Sequence, residues 1–323
     1  MFFSIIIPLY NRPQEINELL ASLVKQDFTD FEVLVIEDGS SLDAREIVEG
    51  YQDKLNIQYY YKDNAGQGFA RNYGFERSKG SYLIVFDSDC LIPAHYLSTV
   101  YKTLGETHLD AYGGPDAAHA SFSPTQKAIS YAMTSPLTTG GIRGNKKHVG
   151  KFHPRSFNMG ISREVWERTG GYKLARRSED IEFSIRMINA GFKVGLIPEA
   201  FVYHKRRTDF KAFFRQTYGF GRGRIHIYTY FPKELKAVHF FPSLFVLYLA
   251  GTLLANLLHW PLARLGNVLL GIYVSLLLVH AFWRTRSLKV TLLSLVAAFT
   301  QLIAYGLGFL RELMHYLLHR KQR

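Results

Sequence analysis

The sequence has one cysteine, Cys90, among 323 residues, and it has few acidic residues toward its C-terminal end. A single cysteine excludes an internal disulfide bond and any metal site made of several cysteines. Residues 201–240 carry 9 Lys or Arg against 2 Asp or Glu, and residues 241–323 carry 8 against 1, whereas residues 1–200 carry 22 against 24. Because the surplus positive charge lies beside the apolar part of the chain, it indicates a membrane surface and argues against nucleic acid as a partner.

Two common phosphate-binding motifs are also missing. No G-x-G-x-x-G follows the first apolar run, and the sequence has no Walker-type loop. These absences argue against a dinucleotide-binding domain and against a P-loop protein. Met1–Ser4 lacks the basic residues of a signal peptide, and the apolar run that follows it ends at Pro8. We therefore expect this segment to form the first strand of the fold.

The first 90 residues alternate between short apolar runs and amphipathic segments. The predicted strands are Ser4–Pro8, Phe31–Ile36, Ile57–Tyr61 and Leu83–Phe86, and the predicted helices are Pro13–Val24 with Asn11 as its N-cap, Arg45–Tyr51 and one containing Arg71-Asn72. This alternation predicts an α/β fold with a Rossmann-like, mostly parallel sheet. Since ligands of such sheets bind at the carboxyl ends of the strands, the polar residues after each strand are candidate site residues.

Asp87-Ser88-Asp89 follows the apolar run Leu83–Phe86. Two carboxylates at the end of a buried strand are costly to hold together without a positive partner. A hard divalent cation that also binds a phosphate would supply it. The alternative is that the two aspartates only cap a turn.

Several motifs together resemble those of family 2 glycosyltransferases. They are Pro8-Leu9-Tyr10-Asn11-Arg12, Ile36-Glu37-Asp38-Gly39-Ser40, Asn64-Ala65-Gly66 with Arg71-Asn72, Asp87-Ser88-Asp89, Asn158–Arg163, Gly170–Tyr172 and Ser178-Glu179-Asp180. The resemblance covers roughly residues 2–225. It implies a GT-A nucleotide-sugar transferase domain of the membrane-bound bacterial type.

The resemblance also implies a donor site at the strand ends. Asp38 would accept a hydrogen bond from the base, usually uracil, with help from Glu37, while Arg71 would meet ribose or phosphate. The other residues implied for the nucleotide are Pro8, Tyr10 and Arg12 around the base, Asn64 and Gly66 where the backbone comes close, and Asp87 and Ser88. The alternative for Arg12 is a solvated charge.

For the metal, the resemblance implies Mg²⁺ or Mn²⁺ bound by Asp89, with Asp87 holding ribose or a metal-bound water. His204, in a predicted edge strand Phe201–His204, would approach the metal or the diphosphate. A buried histidine with a purely structural role is the alternative.

The acceptor side is implied by the Glu179-Asp180 pair. In the family the aspartate is the general base that deprotonates the acceptor hydroxyl, which makes Asp180 the predicted catalytic residue with Glu179 beside it. The alternative is that both acids compensate the dipole of a helix Ser178–Ala190 capped by Ser178. Between Ser121 and Lys151 the sequence is irregular, and its basic cluster Arg143, Lys146, Lys147 and Lys151 is either solvated or near substrate phosphates.

The C-terminal part predicts a membrane region. A helix over about 209–230 alternates aromatic and basic residues, as an interfacial helix does. Residues 241–259, 265–283 and 290–310 lack Lys, Arg, Asp and Glu and are each about long enough to cross a bilayer. We therefore expect a transferase domain at 1–230, a membrane region at 231–323 with three spans at these segments, and a cytoplasmic catalytic domain on the cell inner membrane. Three crossings would leave Arg311 and Arg320 outside, so either one segment is interfacial or re-entrant, or the positive-inside rule is broken.

The expected function is an inverting, metal-assisted transfer of a sugar from a nucleotide diphosphate, UDP in most of the family, to a lipid-linked or saccharide acceptor. The alternatives are transfer to polyprenyl phosphate and a non-catalytic sugar-nucleotide sensor or assembly subunit. Partners in a polysaccharide assembly system are possible. The family's processive members carry Gln-x-x-Arg-Trp where this chain has Gln216-Thr217-Tyr218-Gly219-Phe220, which argues against long-chain polymerisation.

Overall fold

A computed structural model describes residues 2–139 and 152–319. In chain order the elements of the first part are β1 (Phe3–Leu9), α1 (Pro13–Leu23), β2 (Phe31–Asp38), α2 (Arg45–Glu49), β3 (Ile57–Lys62), α3 (Gln67–Arg77), β4 (Tyr82–Phe86), β5 (Cys90–Leu91), α4 (Tyr96–Thr107), β6 (Ala111–Gly113) and β7 (Asp116–Ala117). They are followed by α5 (Pro124–Thr134), α6 (Pro136–Thr139), β8 (Asn158–Ser162), α7 (Arg163–Thr169), α8 (Glu179–Asn189), β9 (Val194–Leu196), β10 (Val202–His204), α9 (Phe210–Tyr230), α10 (Phe241–Leu257), α11 (Leu262–Thr285) and α12 (Leu288–His319). Two short 3₁₀ helices, Pro232–Glu234 and Ala237–Phe240, lie between α9 and α10.

Within the described residues, the main sheet has the strand order β3-β2-β1-β4-β8-β6-β9. The first four strands are parallel, and β8 runs antiparallel to both of its neighbours. Every residue of β1 and β4 is buried, as expected for strands covered on both faces. The predicted mostly parallel α/β sheet is confirmed.

Two predicted helix caps are wrong. Asn11 has a left-handed backbone (φ +52°), and its Oδ1 accepts hydrogen bonds from the backbone N–H groups of Ser41 (2.9 Å) and Leu42 (3.0 Å) instead of capping α1. Ser178 is also left-handed (φ +64°), and among the described residues its hydroxyl makes no capping bond to α8. Both side chains sit where the chain turns sharply at a strand or helix end, so loop geometry overrides their capping preference.

A second, three-stranded sheet has the order β5-β10-β7 among the residues described. The strand that contains His204 is therefore central in this sheet and not an edge strand, which corrects the prediction. Its antiparallel pairing with β5 aligns His204 with Cys90, the residue after Asp89. Cross-strand pairing thus brings a residue from position 204 to the end of β4.

Part of the stretch that the sequence predicts to be irregular is helical. Helix α5 begins with a capping box in which Ser123 accepts a hydrogen bond from the Gln126 N–H and the Gln126 side chain accepts one from the Ser123 N–H. Pro124 occupies the first turn, where a missing N–H costs nothing. The Ser-Pro-x-Gln signal was present in the sequence. The basic cluster at 143–151 lies outside the described residues.

The chain divides into two compact units, Met1–His119 with Gly144–Lys205, and Ala120–Arg143 with Arg206–Arg323. The second unit contains α5, α9 and the three C-terminal helices, so α9 groups with the apolar helices rather than with the sheet. The predicted division at residue 230 stays a prediction. In the part of the chain that the structure describes, three helices are long and apolar enough to cross a membrane: Ala237–Leu257, Leu262–Thr285 and Leu288–His319.

Candidate active site

Asp89 lies in the turn that follows β4 and contacts the side chains of Arg12 and His204. Its Oδ2 accepts a hydrogen bond of 2.5 Å from Arg12 Nη1, and its Oδ1 lies 3.1 Å from His204 Nε2. Burial opposes ionisation of this carboxyl, but His204 and Arg12 outweigh it and hold the pKa of Asp89 well below its usual value. Asp89 is therefore an anion, with the Arg12 guanidinium at one oxygen and the His204 ring at the other. Arg12, predicted at the base pocket, lies at the aspartate motif instead.

The residues around Asp89 fit a divalent ion. Its Oδ1 is buried and accepts no hydrogen bond of good geometry from the described residues, although His204 is near. Donor atoms of Asp89, Cys90 and His204 lie within 4.8 Å of one another. Burial, with Asp89 and Asp87 nearby, raises the pKa of the Cys90 thiol, which keeps it protonated and a poor ligand. The remaining carboxylate and imidazole donors suit Mn²⁺ better than Mg²⁺, which prefers oxygen alone.

Arg71 connects the aspartate motif to the Glu-Asp motif. Its guanidinium donates to Asp87 Oδ1 at 2.8 Å and to Glu179 Oε1 at 3.1 Å, across 108 residues of sequence. Gln67, one turn earlier on α3, donates to the same Glu179 oxygen at 2.5 Å. Arg71 is 1% exposed, and both ends of its guanidinium contact carboxylates, so its contact with ribose or phosphate stays a prediction. It joins Asp87 of the first acidic motif to Glu179 of the second, at the carboxyl ends of the parallel strands.

Glu179 and Asp180 have different surroundings although they are adjacent in the first turn of α8. Glu179 is buried, and burial together with the charge of Asp180 raises its pKa. Asp180 is partly exposed; its Oδ2 accepts a hydrogen bond from Arg155 at 3.2 Å and its Oδ1 accepts one from the Ile181 N–H at 2.8 Å. Of the two predicted catalytic acids, Asp180 is the one that a ligand can reach.

Asp38 organises the loop that follows β3. Its carboxylate accepts hydrogen bonds from the backbone N–H groups of Ala65 (2.9 Å) and Gly66 (2.8 Å) and from Lys62 Nζ (2.7 Å). Asn64, predicted with this loop, donates its side-chain amide to the Asp38 carbonyl at 2.7 Å. Asp38 therefore shapes the loop predicted to meet the base, and Lys62 is a partner that the sequence did not single out.

Glu37 points to the opposite face of the sheet from Asp38 and is fully buried. Its carboxylate accepts hydrogen bonds from the Ser40 hydroxyl, from the Ala44 N–H at 3.1 Å and from the Tyr59 hydroxyl at 3.4 Å. Burial raises its pKa against the opposing effect of these hydrogen bonds. The prediction that Glu37 assists the base is not supported by this position, because the side chain holds the loop after β2.

The remaining predicted donor residues differ in exposure. Pro8 is buried within β1 and pairs with Ile36, so it lies in the strand and not in the loop after it. Tyr10 is 53% exposed and offers its ring to a ligand. Ser88 is buried between the two aspartates of the motif.

Gly66 is required by its backbone. Its φ is +96°, and a Cβ there would lie 2.7 Å from the Ala175 carbonyl oxygen. We expect Gly66→Ala to destabilise the protein by about 1–3 kcal/mol, because strain and overlap act together. Thermal unfolding of the full-length protein in detergent measures this. Gly105→Ala on α4 is the matched control, since its Cβ meets nothing within 4 Å and should stabilise the helix slightly. Equal melting temperatures for both variants would contradict the assignment.

Comparison with models of protein families identifies a matching family. A model of glycosyl transferase family 2 matches residues 4–170. TarS of Staphylococcus aureus, a poly(ribitol-phosphate) beta-N-acetylglucosaminyltransferase, is 39% identical over 114 residues, which is 34% of this chain and 20% of TarS. Glycosyltransferase AglE of Haloferax volcanii is 25% identical over 234 residues, 70% of this chain and 74% of AglE. The chain thus spans about a fifth of the length of TarS.

Solved structures show the same fold. The mannosyltransferase PcManGT from Pyrobaculum calidifontis, in complex with GDP-Man and Mn²⁺, has a TM-score of 0.58 at 19% identity, over 95% of this chain and 86% of that one. TarS 1-349 in complex with UDP-GlcNAc has a TM-score of 0.50 at 18% identity, over 98% and 92%. At these identities the likeness establishes a GT-A-like fold and leaves ligands to be argued from the residues.

Proposed function

Because the chain belongs to glycosyl transferase family 2, we propose that it is an inverting glycosyltransferase using a nucleotide diphosphate sugar. The observation that carries the proposal is the pair of contacts made by Arg71, which joins Asp87 to Glu179. These contacts link the motif proposed to bind the metal to the residue that precedes the proposed base, Asp180. A single base opposite the leaving group is what inversion needs, in contrast to the paired carboxylates of glycoside hydrolases.

On the donor side, Asp89 and His204 are the proposed ligands of the divalent ion, with Mn²⁺ favoured by the donor set. When bound, the ion neutralises the diphosphate leaving group. Arg12 keeps Asp89 ionised, and Tyr10 is the exposed ring available to the base. UDP is the proposed nucleotide, supported by the binding of UDP-GlcNAc to TarS.

On the acceptor side, Asp180 is the proposed general base. It removes the proton of the acceptor hydroxyl as the oxygen attacks the anomeric carbon; the bond from that carbon to the diphosphate oxygen breaks, the nucleoside diphosphate leaves, and the configuration at the anomeric carbon inverts. Arg155 donates a hydrogen bond of 3.2 Å to the carboxylate and so orients it. Glu179 is a positioning residue in this proposal, since its buried carboxylate is held by Arg71 and Gln67.

The three apolar helices support a place at the membrane, and we propose a cytoplasmic catalytic unit acting on a lipid-linked or saccharide acceptor. A nucleotide sugar is a water-soluble anion, whereas a lipid-linked acceptor lies in the bilayer, so an enzyme that joins them needs access to both environments.

Asp89→Asn tests the donor site. We expect Mn²⁺-dependent UDP binding and sugar transfer to fall about a hundredfold or more, because a neutral amide is a weaker ligand and the ion supplies several kcal/mol. Isothermal titration with UDP and GDP, with and without Mn²⁺, measures the binding and identifies the base. Asp53→Asn, an exposed acid of the same unit, is the control. Unchanged Mn²⁺ dependence in Asp89→Asn would contradict the proposal.

A further inference from the structure

Helix α12 packs lengthwise along α9. Phe213 near the start of α9 shares a buried cluster with Val290 and Ala297 of α12. Farther along, a side chain on Gly308 would collide with the Tyr218 carbonyl, which shows that the two backbones are in direct contact. At the far end, the Tyr228 and Tyr316 rings are 5.5 Å apart. Because the direct contacts advance from Tyr218 to Tyr228 on α9 and from Gly308 to Tyr316 on α12, the second half of α9 runs parallel to the C-terminal part of α12.

A salt bridge and a hydrogen bond connect this pair of helices. Arg222 of α9 donates to Glu312 of α12 at 2.6 Å, and Arg311 of α12 donates to the Tyr218 hydroxyl at 3.1 Å. Half of the most apolar window of α12 is buried by protein, against 17% and 11% for the other two apolar helices. The sides of α12 that these contacts cover are therefore not available to lipid.

Helix α9 is too charged to cross a bilayer. It carries Lys211, Arg215, Arg222 and Arg224 along its length, without an acidic residue, and Lys211 and Arg215 are exposed. Charged side chains in the hydrocarbon core are rare and costly, whereas a helix of this composition suits the interface. Since α12 packs against α9, the depth at which α9 lies in the bilayer determines the depth of α12.

The other two apolar helices form a hairpin. Tyr248 of α10 donates to the Gly266 carbonyl of α11 at 2.6 Å, and the side chains of Asn256 and Asn267 exchange two hydrogen bonds of 3.0 and 3.1 Å. These amides satisfy each other, as polar groups in hydrocarbon must. The large apolar side chains around them are exposed: Leu253, Leu257, Trp260, Leu262, Leu265 and Val268. Helix α12 meets the hairpin nearer its open end, where Phe299 packs against Phe245 and Tyr273.

We propose that the α10–α11 hairpin alone crosses the bilayer and that α12, paired with α9, lies along the lipid headgroups. Both ends of the membrane region are then on the side of the catalytic unit. The charge distribution agrees, because Arg264 is the only Lys or Arg between residues 237 and 283. The basic residues before α10, between α11 and α12, and at the C-terminal end of the sequence then all lie on the same side of the membrane. This removes the conflict with the positive-inside rule. The proposal does not depend on the transfer reaction.

Cysteine labelling in right-side-out and inverted membrane vesicles tests the proposal with the full-length chain. Cys90 is fully buried, so the native protein should not react with a membrane-impermeant maleimide. Three variants are compared: Trp260→Cys between α10 and α11, Lys289→Cys at the start of α12, and a cysteine appended after Arg323. We expect Lys289→Cys and the appended cysteine to react from one side, and Trp260→Cys to react from the other side alone.

Two results would overturn the proposal. Reaction of the appended cysteine from the side of Trp260→Cys would mean that α12 crosses the bilayer. Reaction of Trp260→Cys from the side of Lys289→Cys, or from neither side, would mean that the hairpin does not cross. Leu262→Cys, 67% exposed in the next turn, is the second variant if Trp260→Cys does not accumulate. Labelling after detergent treatment confirms that each cysteine is reactive.

Discussion

The Asp180→Asn variant should transfer sugar about 10²–10⁴-fold more slowly than the native protein, the range that a general base contributes. The amide cannot accept the acceptor's proton, while its size and its place in the first turn of α8 are unchanged. UDP binding in the presence of Mn²⁺ should stay at the native level, because Asp180 contacts Arg155 and not the Asp89 cluster. Transfer is measured as nucleotide release with a lipid acceptor, and binding by titration.

Two variants control this experiment. Glu179→Gln should lower stability as well as activity, since it weakens the bond to the buried Arg71. Glu164→Gln changes an exposed acid paired with Arg168 on α7 and should leave both unchanged. A transfer rate near native in Asp180→Asn, or a loss of UDP binding equal to the loss of transfer, would show that another group is the base.

The parallel strands of the main sheet could be predicted from the sequence because the patterns that indicate them are local. The runs that became β1 and β2 are mostly apolar and almost entirely buried, and the turn residues between them fix where each strand ends. The parts that could not be predicted depend on distant contacts. The three-stranded sheet joins β5, β7 and β10, strands of two or three residues that are too short for a periodic pattern.

The candidate site shows the same limit. The motifs single out Asp89 and Asp180 as the predicted metal ligand and base, but they could not give the partners of Arg71 or Glu37, which follow from burial. Arg71 looked like a phosphate ligand because arginine often is one. Its contacts with Asp87 and Glu179 involve residues 16 and 108 positions away, and only the folded sheet brings them together.

The Arg71→Met variant should destabilise the protein by about 3–5 kcal/mol, the range for removing one partner of a buried ion pair. Methionine fills a similar volume but leaves the buried Glu179 without its cation, and burial already raises the pKa of that carboxyl. The variant should therefore be less destabilised at acidic pH, where protonation removes the uncompensated charge, than at neutral pH. Thermal unfolding of the full-length protein in detergent at several pH values measures this.

A second substitution separates charge from packing. If the uncompensated carboxylate is the cause, Arg71→Met combined with Glu179→Gln should be more stable than Arg71→Met alone and should lose most of its pH dependence. Arg77→Met, two turns later on α3, is the matched control: its partner Glu76 is exposed, so the loss should be at most about 1 kcal/mol. Equal losses for Arg71→Met and Arg77→Met would mean that Arg71 acts through packing, and the charge link between the two acidic motifs would be wrong.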